Sequence, residues 1–246
     1  MNTLLRRSGR LLFGRIMPKF AYPFVFGPLR SSRFILGSLA GDSGGASVYF
    51  NKTEPEQSDA MIRELKNGRV FFDIGANVGY YTILVSRVVG KSGTVLAFEP
   101  VIRNLAYLQQ HVVLNKASNV RILPFACSNE NGIARFSLGP NSAMGGLISD
   151  DAANAGDILV PTVTMDKIAE ELGIAPDVLK IDVEGAEINV LQGEMELLRS
   201  KKPVIFLSTH SPGLREECLD LLAEVGYEAE PLVPGDDPHE FLLEVV

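Results

Sequence analysis

The apolar positions of this chain change period along its length, and the changes mark its elements. In residues 55–67 (PEQSDAMIRELKN), Met61, Ile62 and Leu65 share one face of a helix that Asn67-Gly68 stops. From Val70 the pattern turns to short apolar runs separated by amphipathic ones. Val70–Asp73, Thr94–Phe98, Val120–Phe125, Val178–Ile181 and Val204–Leu207 read as buried strands. Val78–Val89, Val101–Asn115, Asp166–Leu172, Glu187–Arg199 and Leu214–Val225 read as helices. Such alternation predicts an α/β architecture with a parallel, doubly wound sheet. Residues 226–232 and 240–246 read as a closing antiparallel pair. Ile133–Leu138 and Ile158–Thr164 break the rhythm as two further strands, around a glycine- and alanine-rich loop at 139–157. Compact domains keep loops of that length for function or leave them disordered.

The end of the first sheet strand is the first place where chemistry is expected. In FFDIGANVGYY (71–81), Gly75 permits a tight turn and Gly79 lets the next helix start close to the strand. A dinucleotide fingerprint would need a second glycine where Asn77 stands, so a pyrophosphate fits poorly. Asp73 opposes a phosphate too, and would attract an ammonium. Glu99, at the end of the second strand, is placed to accept the hydroxyls of a ribose. An amino-acid end at the first strand and a ribose at the second describe S-adenosylmethionine. Structural alternatives exist for each residue: a plain turn, an Asp73 that caps it, a solvated Glu99.

The stretch LKIDVEGAE (179–187) places Lys180, Asp182, Glu184 and Glu187 around an apolar strand. Asp182 falls at the carboxyl end of the fourth sheet strand, beside the expected cofactor cleft. Glu184 and Glu187 precede a helix, where the dipole favours acids. Of the three histidines, His111 lies in a helix and reads as packing, and His239 lies in a polar turn. His210 ends the fifth strand at the ligand-binding edge and is a candidate base or acceptor contact.

DIGANVGYYT, AFEP, Asn104-Leu105, TVTMDKI and LKIDVEGAE, in this order, resemble the FkbM family of S-adenosylmethionine-dependent methyltransferases over roughly residues 70–210. The resemblance implies a Rossmann-like class I methyltransferase fold, with a seven-stranded, mostly parallel doubly wound sheet and a C-terminal antiparallel pair. It implies O-methylation of a hydroxyl on a small-molecule, sugar, glycolipid or polyketide-type acceptor. Matched by position, Asp73, Gly75, Asn77 and Gly79 form the cofactor turn, Glu99 is the ribose ligand, Ser128 lies near the adenine, and Asp182 is the fourth-strand acid. One departure stands out: Ser208 occupies a place where similar members often carry an acid, two residues before His210. Asp182, Glu184 and His210 offer a divalent metal an alternative site, but their spacing matches no ligand motif and none is expected. The rival readings are a non-catalytic methyltransferase-fold binding protein and an NAD-dependent oxidoreductase or epimerase.

Composition changes this picture at one end of the chain. Of 246 residues 46% are hydrophobic, and the net charge is −7. Yet residues 1–33 carry Arg6, Arg7, Arg10, Arg15, Lys19, Arg30 and Arg33 without an acid, which leaves the remainder strongly acidic. An acidic body argues against a nucleic-acid partner. The domain organisation read from the sequence is a basic arm (1–45), a segment and helix leading in (46–69) and the methyltransferase domain (70–246). The arm interleaves its charge with Leu4, Leu5, Leu11, Leu12, Phe13, Ile16, Phe20, Phe24 and Phe26. It is expected either to pack its aromatics on the domain or to attach peripherally to an anionic membrane. No run is long enough for a transmembrane helix, and the arm makes a poor signal peptide. Cys127 and Cys218 form no metal or disulfide pattern and suit a reducing, cytoplasmic setting.

Overall fold

The computed structural model describes residues 21–35, 55–138, 145–148 and 156–245. A hairpin of β1 (Ala21–Pro23) and β2 (Arg33–Ile35) comes first, then helix α1 (Pro55–Glu64). The central run follows: β3 (Val70–Ile74), α2 (Tyr80–Val89), β4 (Thr94–Phe98), α3 (Ile102–Leu114) and β5 (Val120–Leu123). Strands β6 (Ala126–Cys127), β7 (Gly132–Ser137), β8 (Gly146–Ile148) and β9 (Ile158–Val163) come next. After α4 (Met165–Leu172) and β10 (Val178–Ile181) come α5 (Glu187–Gln192) and α6 (Met195–Ser200). The chain closes with β11 (Val204–Ser208), α7 (Pro212–Glu224), β12 (Tyr227–Pro231) and β13 (Glu240–Val245).

Seven strands form one mixed sheet in the order β12-β13-β11-β10-β3-β4-β5. The five strands from β11 to β5 are parallel, while β13 runs antiparallel to both its neighbours. The parallel strands are buried on both faces, which is why they read as unbroken apolar runs. Phe72, Ile74, Leu96, Phe98, Leu179, Ile181, Ile205 and Leu207 pack on one face. Phe71, Val95, Val178 and Phe206 pack on the other, against α1, α2 and the hairpin.

The strands at Ile133 and Ile158, which break the alternation, stand outside the main sheet: β7 pairs antiparallel with β9 in a separate four-stranded sheet of order β6-β9-β7-β8. The sequence reading and the structure differ in the next helix. The helix expected over Glu187–Arg199 is two helices. Gly193 lies so close to the Ser128 carbonyl that a Cβ would overlap it, and the chain breaks there.

The described part of the arm packs on the domain: Phe24, Leu29 and Phe34 are buried beside Met61 and Phe71. His111 fastens it. Its Nδ1–H donates to the Val78 carbonyl at 2.7 Å, and its Nε2 accepts from the Ile35 N–H at 3.0 Å. These partners fix a neutral tautomer, and burial holds the imidazole below its ordinary pKa. The membrane expectation rests on residues 1–33; of these, 1–20 lie outside the described residues, and Phe24, one of its apolar side chains, is buried on the domain while Phe26 is exposed. No described helix is long and apolar enough to cross a membrane.

Two expectations follow from this packing. Gly193→Ala should destabilise the fold by roughly 1–3 kcal/mol through overpacking. Gly213→Ala, whose Cβ meets nothing within 4 Å, should be neutral or slightly stabilising; urea unfolding compares them. For His111 the folded pKa lies below the unfolded value of about 6.5, so the unfolded state takes up the proton first and stability falls as pH drops through that region. Wild type should therefore lose more Tm between pH 7.5 and 5.5 than His111→Gln, and equal losses would refute the fastening role.

Candidate active site

Strand β3 ends at Asp73 and Ile74, and the chain turns through three left-handed residues: Gly75, Asn77 and Gly79, with φ of 83°, 50° and 91°. The turn is held against β4, because the Gly75 and Ala76 N–H groups donate to the Phe98 carbonyl at 3.1 and 2.9 Å. A Cβ on Gly75 would overlap the Asp182 carbonyl oxygen, and one on Gly79 would stand 2.5 Å from Leu108. Both glycines are thus required by φ and by close approach. Asp73 is fully buried; Thr82 Oγ1 donates to its Oδ2 at 2.5 Å, and Oδ1 has no hydrogen-bond partner. Burial pushes its carboxyl up, opposed by Lys180 and Thr82.

Glu99 is buried rather than lying open in a cleft. Its Oε2 accepts from the Asn77 N–H at 2.9 Å, its Oε1 from the Val101 N–H at 2.8 Å. The carboxylate joins the turn after β3 to the end of β4, and lone pairs remain for a ligand. Burial lifts its pKa to about 7 against the pull of the backbone donors.

Asp182, Glu184 and His210 come together, with one ligand atom from each within 4.8 Å of the others. Lys180 Nζ reaches Asp182 Oδ2 at 2.9 Å. Burial opposes the Asp182 charge, but Lys180 and His210 outweigh it and hold its carboxyl below the ordinary range. Glu184 adopts φ 56° and burial raises its carboxyl. His210 Nε2 lies 3.5 Å from both Asp182 Oδ1 and Glu184 Oε2. Its Nδ1 donates to Glu187 Oε1 at 2.6 Å. That hydrogen bond, together with Asp182 and Glu184, raises the imidazole to about 9 despite partial burial. A cleft of about 510 Å³ opens beside the cluster, lined by Glu184, His210, Ser211, Leu214 and Glu217.

The sequence reading missed several residues here. Glu187 is no exposed helix-dipole acid; it is fully buried and grips His210. Lys180 is buried in the middle of β10, and a lysine inside the apolar run VLKI was its signal. Gln57 of α1 is buried and donates to Ser208 Oγ at 3.4 Å, so the position without an acid is met by an amide that only the tertiary fold brings there. Ser128 is buried; its N–H donates to the Val163 carbonyl and its Oγ to Asn129 Oδ1.

The arrangement can hold a cation-bearing ligand at Asp73 and hydroxyls at Glu99, and can polarise a second molecule at the Asp182 cluster. The chain is 29% identical over 212 residues to the 31-O-demethyl-FK506 methyltransferase FkbM of Streptomyces tacrolimicus, covering 72% of this chain and 81% of that protein. It is 27% identical over 172 residues to the hexuronic acid methyltransferase AglP of Haloferax volcanii, covering 69% and 68%. Its fold matches the solved methyltransferase FkbM of Methylobacillus flagellatus with a TM-score of 0.54 at 18% identity, over 85% of this chain and 56% of that one, so it spans little more than half of that structure's length. Residues 73–229, most of the chain and all of the site just described, match the methyltransferase FkbM domain, and the chain belongs to the FkbM methyltransferase family.

Proposed function

We propose that this chain transfers a methyl group from S-adenosylmethionine to a hydroxyl of a small-molecule, sugar, glycolipid or polyketide-type acceptor. The observation that carries the reading is the packing of Gly75 on the Asp182 carbonyl. It makes the donor turn and the acid–histidine cluster two walls of one site. The residues fit the donor: the buried Asp73 Oδ1, without a hydrogen-bond partner, suits its ammonium, and Glu99, with lone pairs to spare, suits its ribose; Ser128 is assigned to the adenine end by the family resemblance alone. When bound, S-adenosylmethionine supplies an electrophilic methyl carbon on a sulfonium. The names of the two relatives, one acting at a 31-O position and one on a hexuronic acid, support an oxygen acceptor.

The protein's own part is positioning and proton handling. Holding an acceptor oxygen in line with the methyl accounts for several kcal/mol. Asp182 Oδ1, kept ionised by Lys180 on its other oxygen, is placed to take the hydroxyl proton. His210, oriented by Glu187, presents Nε2 as a second polar contact to the acceptor.

Glu99→Gln should weaken S-adenosylhomocysteine binding by roughly 1.5–3 kcal/mol, the range for a hydrogen bond to a charged group. Unchanged calorimetric affinity in a folded variant would remove Glu99 from the cofactor site. Asp182→Asn and His210→Ala should lower kcat by about 10²–10⁴-fold while cofactor affinity stays within a few-fold. The readout is S-adenosylhomocysteine release on sugar and polyketide hydroxyl acceptors, and full turnover by either variant excludes that residue from the chemistry.

A further inference from the structure

The Asp182 cluster is built in a way that acceptor contact alone does not explain. Three donor atoms from two turns, Asp182 Oδ1 and Glu184 Oε2 after β10 and His210 Nε2 after β11, come close together. The Nε2 lies 3.5 Å from each carboxylate, which is too long for a good hydrogen bond and suits donors arranged around an ion. The whole set fits within 4.8 Å, about twice a metal–oxygen bond of 2.0–2.4 Å. The chain spacing of these residues gives no ligand motif; the fold alone assembles them.

A second, independent feature points the same way. Glu187 is 0% exposed. Its Oε1 accepts from His210 Nδ1 and from the Gly185 N–H, and its Oε2 has no hydrogen-bond partner. A buried carboxylate gripping the far nitrogen of a histidine is the arrangement that orients metal-binding imidazoles and raises their basicity. Charge agrees as well. Asp182, Glu184 and Glu187 bring three carboxylates to one corner, and Lys180 is shared with the adjacent Asp73.

We propose that Asp182, Glu184 and His210 bind one divalent cation of the Mn²⁺/Mg²⁺ class, with Glu187 as the positioning residue behind His210. Two carboxylates and one imidazole leave about three positions of an octahedron open. They face the cleft lined by Ser211, Leu214 and Glu217. The acceptor class that fits is one with a hydroxyl beside a second oxygen, a vicinal diol or a hydroxy acid, bound through both. The site's existence does not depend on the methyltransferase reading; with the cation in place, Asp182 Oδ1 and His210 Nε2 reach the acceptor hydroxyl through it rather than directly, so the use made of the cation rests on that reading.

The test is Mn²⁺ titration of the full chain, with free Mn²⁺ read by electron paramagnetic resonance and Mg²⁺ as competitor, alongside calorimetry with S-adenosylhomocysteine. Wild type should bind one Mn²⁺ equivalent displaceable by Mg²⁺. Asp182→Asn and Glu184→Gln should weaken it at least about ten-fold, and Glu187→Gln, which touches no ion, by about 10–100-fold. If Asp182→Asn fails to fold for loss of the Lys180 partner, the half-exposed Glu184→Gln carries the comparison. No bound Mn²⁺, or binding equally strong in Glu184→Gln and Glu187→Gln, overturns the site. S-adenosylhomocysteine bound without Mn²⁺ removes this inference and leaves the proposed function; Mn²⁺ bound at these residues without S-adenosylhomocysteine does the reverse.

Discussion

A lysine ammonium buried in the centre of a sheet has to be neutralised where it stands, and Lys180 organises this site around that requirement. It is 2% exposed, and an unpaired charge at such depth would be prohibitive. Asp182 Oδ2 meets it at 2.9 Å, the Tyr81 ring lies 5.0 Å from its nitrogen, and Asp73 is its partner across the β3–β10 register. The same ammonium therefore favours the charge of the donor-side acid and of the acceptor-side acid. Register follows: slipping β10 by one residue would turn Lys180 to the other face, into Leu179 and Ile181 territory, and leave both aspartates without their cation. Removing one partner of such a buried set costs about 3–5 kcal/mol, so Asp73 and Asp182 also hold the strand pairing in place.

Around this charge centre the backbone is stacked with no room for side chains. Gly75 lies on the Asp182 carbonyl, and a Cβ on Gly146 of β8 would stand 2.6 Å from the Glu184 carbonyl. The donor turn, the acid turn and the edge of the second sheet are thus layered on one another. That gives the four-stranded sheet a purpose in the architecture: it brings part of the long loop against the turn that carries Asp182 and Glu184. The hairpin reaches the same region from the other side, since His111 bonds Ile35 and Val78, and Val78 lies inside the donor turn.

What the sequence showed and what it hid divide along the same physical line. Strands β3, β4, β10 and β11 were legible because a sheet covered on both faces requires continuous apolar runs, and the turn after β3 because positive φ favours Gly75 and Gly79. The parallel order and the closing β12–β13 pair were legible from alternation. The split of the helix at Gly193 was not, because the cause is the Ser128 carbonyl 65 positions earlier in the chain. Glu187 was read as a dipole-favoured acid, since nothing local says that His210 will close over it. Gln57 meeting Ser208 is hidden for the same reason. Periodicity reports which face a residue takes; it does not report which distant side chain will occupy that face.

Under the proposed function, the cleft beside the cluster constrains the acceptor. Glu184 and Glu217 line it, with Leu214 as its apolar contact, and Asp182 lies behind. Carboxylates a few ångströms from a bound anion would disfavour it by several kcal/mol at an effective dielectric near 20. A neutral hydroxylated acceptor avoids that cost and can donate hydrogen bonds to the acids. An acidic one, such as a sugar carboxylate, needs positive charge at the site; among the described residues lining the cleft, the imidazolium of His210 is the basic group, a cation held by the cluster would add to it, and Lys180 is already committed to its aspartates. The electrostatics of this corner thus tie the choice of acceptor to whatever stands between Asp182, Glu184 and His210.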